Sequence, residues 1–272
     1  MGLATQMIAW RTDFCEELVG RGFHVVRFDN RDIGRSTKVK GPVPTIPQLL
    51  LRSRKAGVYR LKDMADDAFG LLDHLGVEQA HLVGASMGGM IAQTMAARRP
   101  ERVLSLCSIM STTGNRWVGQ PHVKLYPLFL SRTPTDPEAY RARIAKIFAA
   151  IGSPGFEHDP AELEELVSES LSRGHDPAGG ARQLGAITAS GDRTREVSRI
   201  TAPTVVIHGT SDVLIRPSGA KATARAIDGA KLVWVKGMGH DLPRGAWPQI
   251  IDAIVENTER AAAPAAAAEE AA

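Results

Sequence analysis

The sequence has 272 residues, 43% of them hydrophobic, so it can bury one large core, and its length alone demands no second folding unit. Its 33 basic groups against 30 acidic ones leave a net charge of +3, which excludes a surface built for phosphates and with it nucleic acid as an expected partner. The only cysteines, Cys15 and Cys107, are too few for a disulfide framework and fit a reducing, cytoplasmic setting, while no run approaches the roughly eighteen consecutive apolar residues of a membrane span and the N-terminus lacks a signal-peptide layout.

From Phe23 the segment FHVVRF predicts a buried strand that empties into the turn Asp29-Asn30-Arg31-Asp32, whose charged groups are expected to lock the turn by hydrogen bonds. Over residues 61–77, Leu61, Met64, Ala65, Ala68, Leu71, Leu72 and Leu75 recur at helical spacing, Asp66 and Asp67 fall on the solvated side, and Gly76 supplies the stop. The strand AHLVGA follows, then the helix MIAQTMAARR closed by Pro100, then a strand over residues 103–110. Strand and helix alternating in this way predict parallel βαβ units, an α/β fold with a mostly parallel sheet.

Between residues 113 and 199 the alternation stops. Helices are expected there at 137–150, at 160–173 and near 179–190, in an insertion too long to be a loop. From Thr201 the pattern resumes with the strand TVVIHG, a helix over SGAKATARAID, the strand KLVWV and the helix WPQIIDAIVENTERA. The expected organisation is therefore a core of residues 1–112 and 200–260, a helical insertion over 113–199, and an alanine-rich tail over 261–272 whose low complexity predicts disorder.

Gly84-Ala85-Ser86-Met87-Gly88 stands where AHLVGA gives way to a helix, the strand-to-helix setting that a G-x-S-x-G nucleophile turn requires. Such a turn holds a hydroxyl proud of the sheet's C-terminal edge, and Gly84 and Gly88 are needed because a Cβ at either place would meet neighbouring backbone. A serine is unreactive at its own pKa, so a base and a group to orient that base must come from elsewhere. Asp212, just past TVVIHG, is the candidate acid, and His240, in the Gly-flanked loop after KLVWV, is the candidate base. Asp241 is adjacent but badly placed to orient the neighbouring ring, and His208, inside TVVIHG, reads as a packed structural histidine.

With FDNRDIGRS after the first strand, LVGASMGG at the nucleophile, HGTSD at the acid and GMGH at the base, the sequence resembles the α/β-hydrolase superfamily over nearly its whole length. MGLATQMIAW followed by RFDNRDIGRS, together with RQLGAITASGDR, is most similar to the bacterial esterase branch that includes aclacinomycin methylesterase. The resemblance implies hydrolysis of a small-molecule carboxylic ester, hydrophobic or bulky, through an acyl-enzyme on Ser86, with no metal or organic cofactor. It makes the insertion a helical cap, with Trp117, Tyr126 and Phe129 as candidates for an apolar substrate pocket, although packing within the cap accounts for any one of them equally well. It carries over the backbone N–H groups of Met87 and Leu3 as oxyanion donors, with Met1 standing where the family has histidine. It also implies strands ahead of this loop, about 20 to 30 residues, that the sequence does not contain. A cofactor-free perhydrolase or haloperoxidase, or a carbon–carbon bond hydrolase, would use the same triad, and a non-catalytic ligand-binding relative would keep the fold without it.

Overall fold

A computed structural model of the chain describes residues 1–131 and 133–269. Four parallel strands, β1 (Ala80–Ala85), β2 (Val103–Ile109), β3 (Thr204–Gly209) and β4 (Lys231–Val235), form one sheet in the order β1-β2-β3-β4. The central pair is set by apolar register, with Cys107 opposite Val205 and Ile109 opposite Ile207. The helices are α1 (Thr12–Gly20), α2 (Ile46–Leu50), α3 (Leu61–His74), α4 (Met87–Arg98), α5 (Tyr126–Leu130), α6 (Pro137–Ile151), α7 (Pro160–Arg173), α8 (Pro177–Ser190), α9 (Thr194–Val197), α10 (Ser218–Ala226) and α11 (Trp247–Glu269).

Helices cover both faces of the sheet. Phe14 of α1 and Ile250, Ile251 and Ile254 of α11 pack on Ile109, Val205 and Ile207, with the Phe14 ring edge-on to Trp247 at 5.4 Å. Leu61, Met64 and Phe69 of α3 pack with Met87, Met90, Ile91 and Met95 of α4 in a second cluster. Each βα crossover thus buries an apolar helix stripe against strands that are apolar on both faces. Among the described residues no helix is long and apolar enough to cross a membrane.

Helices α5 to α9 lie between β2 and β3, where the alternation of the sequence breaks. Three of them start alike. Asp136, Asp159 and Asp176 each precede a proline, and their carboxylates accept the N–H of Ala139, Ala161 and Ala178, so each helix begins on a capped N-terminus with proline in its first turn. Such caps contribute about 1 kcal/mol each.

Two expectations need correction. Residues 23–28, FHVVRF, form no strand: the segment is tethered by packing, with Phe23 edge-on to His81 at 6.1 Å, and it has no ladder partner among the described residues. High β-propensity produces a strand only where a neighbouring strand can take its N–H and C=O groups. The tail expected to be disordered from residue 261 continues α11 as far as Glu269, as the high helix propensity of alanine favours, and residues 270–272 lie outside the described residues.

Candidate active site

The strand ends bring three groups together. Ser86 follows β1 directly, Asp212 lies three residues past β3 and His240 five past β4, so all three emerge at the C-terminal edge of the sheet. His240 Nδ1 lies 2.7 Å from Asp212 Oδ2, and His240 Nε2 lies 2.9 Å from Ser86 Oγ. A carboxylate can only accept, so Nδ1 carries the proton and Nε2 is left to accept from the serine hydroxyl. Asp212 Oδ1 accepts the N–H groups of Leu214 and Ile215, each at 2.9 Å, which fixes the carboxylate's plane. Both Asp212 and His240 are buried, whereas Ser86 is half-open to solvent.

Ser86 sits at φ 56°, ψ −117°, a conformation that costs a non-glycine residue about 1–3 kcal/mol. The surroundings over-determine it. Its N–H donates to the Ile109 carbonyl at 2.9 Å and its own carbonyl accepts from Ser111 Oγ at 2.8 Å. A Cβ on Gly84 would stand 2.2 Å from the Gly88 carbonyl oxygen, and one on Gly88 would stand 2.9 Å from that of Met1, so both flanking glycines are required by contact. Met87 opens α4, and its N–H, like others in a first turn, has no acceptor inside the helix. Gly2 lies against Ser86, where a Cβ would approach Ser86 Cβ to 3.2 Å, and this places the Gly2-Leu3 peptide beside Ser86.

His208 is fully buried; its Nε2 donates to the Ile215 carbonyl at 2.7 Å and stands 3.4 Å from Asp212 Oδ2. Burial holds its pKa below the usual value, so it stays neutral and brings no second positive charge to Asp212. Asp241 does not orient His240: its carboxylate accepts from Ser153 Oγ, and burial raises its pKa.

That contact belongs to a clamp which sequence reasoning missed. The His240 N–H donates to the Ile151 carbonyl at 2.7 Å, the Gly239 N–H to Ser153 Oγ at 2.8 Å, and the Gly155 N–H to the Gly237 carbonyl at 3.0 Å. The end of α6 and the turn after it therefore hold the histidine loop. Gly239 admits this approach, since a Cβ there would lie 2.4 Å from the Gly152 carbonyl oxygen.

The charged turn after residue 28 also does more than expected. Asp29 and Asp32 do lock their turns, accepting the N–H groups of Arg35 and Val39, but Asp29 also pairs with Arg173 at 2.6 Å and Asp32 with Arg182 at 2.8 Å. Burial works to raise both carboxyl pKa values, yet their hydrogen bonds and arginine partners outweigh it and hold both below the ordinary value.

Of the expected pocket residues, Trp117 and Tyr126 are exposed and Phe129 is half-buried. Trp117 is 76% exposed, with the Arg116 guanidinium 4.6 Å from its ring centre, because its loop runs over the surface. Tyr126 and Phe129 lie on the short α5. Among the described residues no three histidine, cysteine or acidic side chains converge as metal ligands would.

The profile of the alpha/beta hydrolase fold matches residues 2–243. The chain belongs to the α/β-hydrolase fold family. Among curated relatives, rhodomycin D methylesterase DnrP of Streptomyces peucetius is 27% identical over 275 residues, covering 93% of this chain and 87% of the relative. Rhodomycin D methylesterase DauP of Streptomyces sp. strain C5 is 28% identical with the same coverage. Among solved structures, the enol-lactonase from Burkholderia xenovorans LB400 superposes with a TM-score of 0.73 at 24% identity, covering 94% of this chain and 88% of that one, a likeness of fold.

Proposed function

We propose that this protein hydrolyses a carboxylic ester through an acyl-enzyme on Ser86. The observation that carries the reading is the continuous relay from Ser86 Oγ to His240 Nε2 at 2.9 Å and from His240 Nδ1 to Asp212 at 2.7 Å. The similarity to two methylesterases supports a carboxylic ester as substrate, and the ester proposed is hydrophobic or bulky.

Ser86 Oγ attacks the ester carbonyl while His240 Nε2 takes its proton, and Asp212 stabilises the imidazolium by holding Nδ1–H. The N–H groups of Met87 and Leu3 receive the developing oxyanion, reinforced by the positive end of α4. The tetrahedral adduct collapses, His240 returns its proton to the departing alcohol, and the acyl group remains on Ser86. Water activated by the same histidine then releases the carboxylate and restores the hydroxyl. The insertion over residues 113–199 serves as the cap, and the unpaired Cys15 and Cys107 fit a cytoplasmic setting.

The test is a panel of p-nitrophenyl and methyl esters of increasing acyl size, with perhydrolysis measured in parallel, on wild type and Ser86→Ala. Ester cleavage that disappears in the alanine variant supports the reading. Equal rates in both would remove Ser86 from the mechanism, and faster perhydrolysis than hydrolysis would change the reaction assigned.

A further inference from the structure

The loop that carries the second oxyanion donor, residues 2–5, is not itself part of a strand. Its N-terminal half is a turn, with the Thr5 N–H donating to the Gly2 carbonyl at 3.3 Å, Thr5 Oγ1 donating to the Leu3 carbonyl at 3.0 Å, and Ala4 at φ 54°, a conformation rare for a residue with a Cβ. In a trans peptide the C=O and N–H point in opposite directions, so tying back the Gly2 carbonyl turns the Leu3 N–H outward from the turn. Among the described residues that N–H has no protein acceptor. A donor for an oxyanion accelerates reaction only if it is fixed before the charge appears, and a turn holding one alanine in a strained conformation needs an outside anchor.

Asn30 Nδ2 donates to the Met1 carbonyl at 3.3 Å and Asp29 accepts the Met7 N–H at 2.7 Å, but within residues 2–5 the anchor comes from α8. Gln183 is fully buried on α8; its Oε1 accepts the Ala4 N–H at 2.9 Å and its Nε2 donates to the Arg31 carbonyl at 2.8 Å. The two bonds fix the amide's orientation, since reversal would set donor against donor and acceptor against acceptor. They also join the loop at residues 2–5 to the turn at residues 29–36 through one planar group. The helix is built to reach this place. Arg182 pairs with Asp32 through both Nε and Nη2, at 3.0 and 2.8 Å, and a Cβ on Gly179 would stand 2.1 Å from the Asp32 carbonyl oxygen. A Cβ on Gly180 would stand 3.0 Å from that of Ala4, so the helix surface lies directly on the loop.

We infer that Gln183 is the positioning residue of the oxyanion hole: by holding the Ala4 N–H it fixes the Leu3 amide beside Ser86, so the helical insertion acts on the chemical step as well as on substrate access. This rests on the reading of Ser86 as an ester-cleaving nucleophile and assigns Gln183 no contact with substrate.

The test compares wild type, Gln183→Met and Gly180→Ala in ester turnover, with Ser86→Ala as the blank. Gln183→Met keeps the shape and loses both hydrogen bonds. It should lower kcat by about 10- to 100-fold with KM changed less than about twofold, because an oxyanion donor acts in the transition state and not on bound substrate. Affinity for an aryl trifluoromethyl ketone, which forms an oxyanion on the serine, should fall by the same factor as kcat/KM, while affinity for the carboxylate product stays unchanged. A structural role alone would not split the two ligands in this way. Gly180→Ala keeps the fold safe by raising helix propensity, yet it crowds Ala4; it should lower kcat by a few-fold without lowering the melting temperature. Full kcat and full ketone affinity in both variants, beside an active wild type, would overturn this inference alone. A Gln183→Met protein that does not fold leaves Gly180→Ala to decide, and unchanged turnover there would overturn it. A wild type that neither cleaves esters nor binds the ketone overturns the nucleophile reading and this inference together.

Discussion

In the proposed mechanism Ser86 and the loop at residues 2–5 face the same reacting centre, yet the chain holds them in different ways. Ser86 is fixed by its neighbours in sequence and sheet: β1 ends at it, α4 starts from it, and Gly84 and Gly88 make room for its strained backbone. The loop is fixed from far along the chain, by Gln183 on α8, 179 residues from Ala4. His240 stands between the two cases, since β4 delivers it and the Ile151–Ser153 turn clamps its loop. The comparison teaches that the atoms proposed to react belong to the sheet, while side chains of the insertion hold the segments around them. Changes on the sheet side should abolish chemistry, and changes on the insertion side should weaken it by degrees.

The largest effect is expected on the sheet side. Ser86→Ala and His240→Ala should each lower kcat by about a million-fold, and the double variant by hardly more, because the members of such a relay act as a unit. Asp212→Asn should cost about ten-thousand-fold, as it leaves the ring in place but unsettles its tautomer. Steady-state rates on one activated ester decide both points, and additive losses from Ser86 and His240 would show that they serve separate steps.

Breaking the junction between core and insertion comes next. Asp32→Asn removes the charge that faces Arg182 in a buried site and should destabilise the protein by about 3 kcal/mol, the lower end for a broken buried pair because Asp176 remains 3.0 Å from the same guanidinium. The pH dependence has a definite sign. The Asp32 pKa lies below the ordinary aspartate value of about 3.9, so its contribution is complete above about pH 4 and is lost as pH falls through the native value. Melting temperatures of wild type and Asp32→Asn should therefore differ most at neutral pH and converge in acid. A gap that widens in acid would mean that the ion pair is not what Asp32 contributes.

Ser153→Ala sharpens the comparison at His240 itself. It deprives the Gly239 N–H of its acceptor and the Asp241 carboxylate of its hydroxyl donor, leaving the latter the Ser153 backbone N–H. Leaving such groups unpaired costs about 1–3 kcal/mol, and kcat should fall by about tenfold as the histidine loop loosens. Thermal melting and turnover on the same preparations check this, and an unchanged kcat would confine Ser153 to a structural role.

What the sequence disclosed follows the same division. The proposed elbow, acid and base could be picked out as candidates because each sits at the end of an apolar run and is flanked by glycine or a turn, signals confined to five or six residues. The anchors were not legible, because the partner of a buried polar group 150 residues away leaves no spacing to read. Arg182 and Asp32 are such a pair. A trace did exist in GGARQLGAITAS, where Gly179, Arg182, Gln183 and Ala186 share one buried stripe at helical spacing, so two polar side chains fall where an apolar face is expected. FHVVRF misled for the opposite reason. Its local propensity is strong, but strand formation depends on a partner that lies elsewhere.

The central claim, a covalent acyl group on Ser86, is tested most directly by mixing the protein with p-nitrophenyl acetate, quenching within the first turnover and mapping the acylated peptide by mass spectrometry. The account predicts a burst of p-nitrophenolate equal to the active sites and one acetyl group on the peptide that contains Ser86, accumulating only while His240 is intact. Steady turnover with no acyl adduct, or an adduct on any other residue, would contradict it.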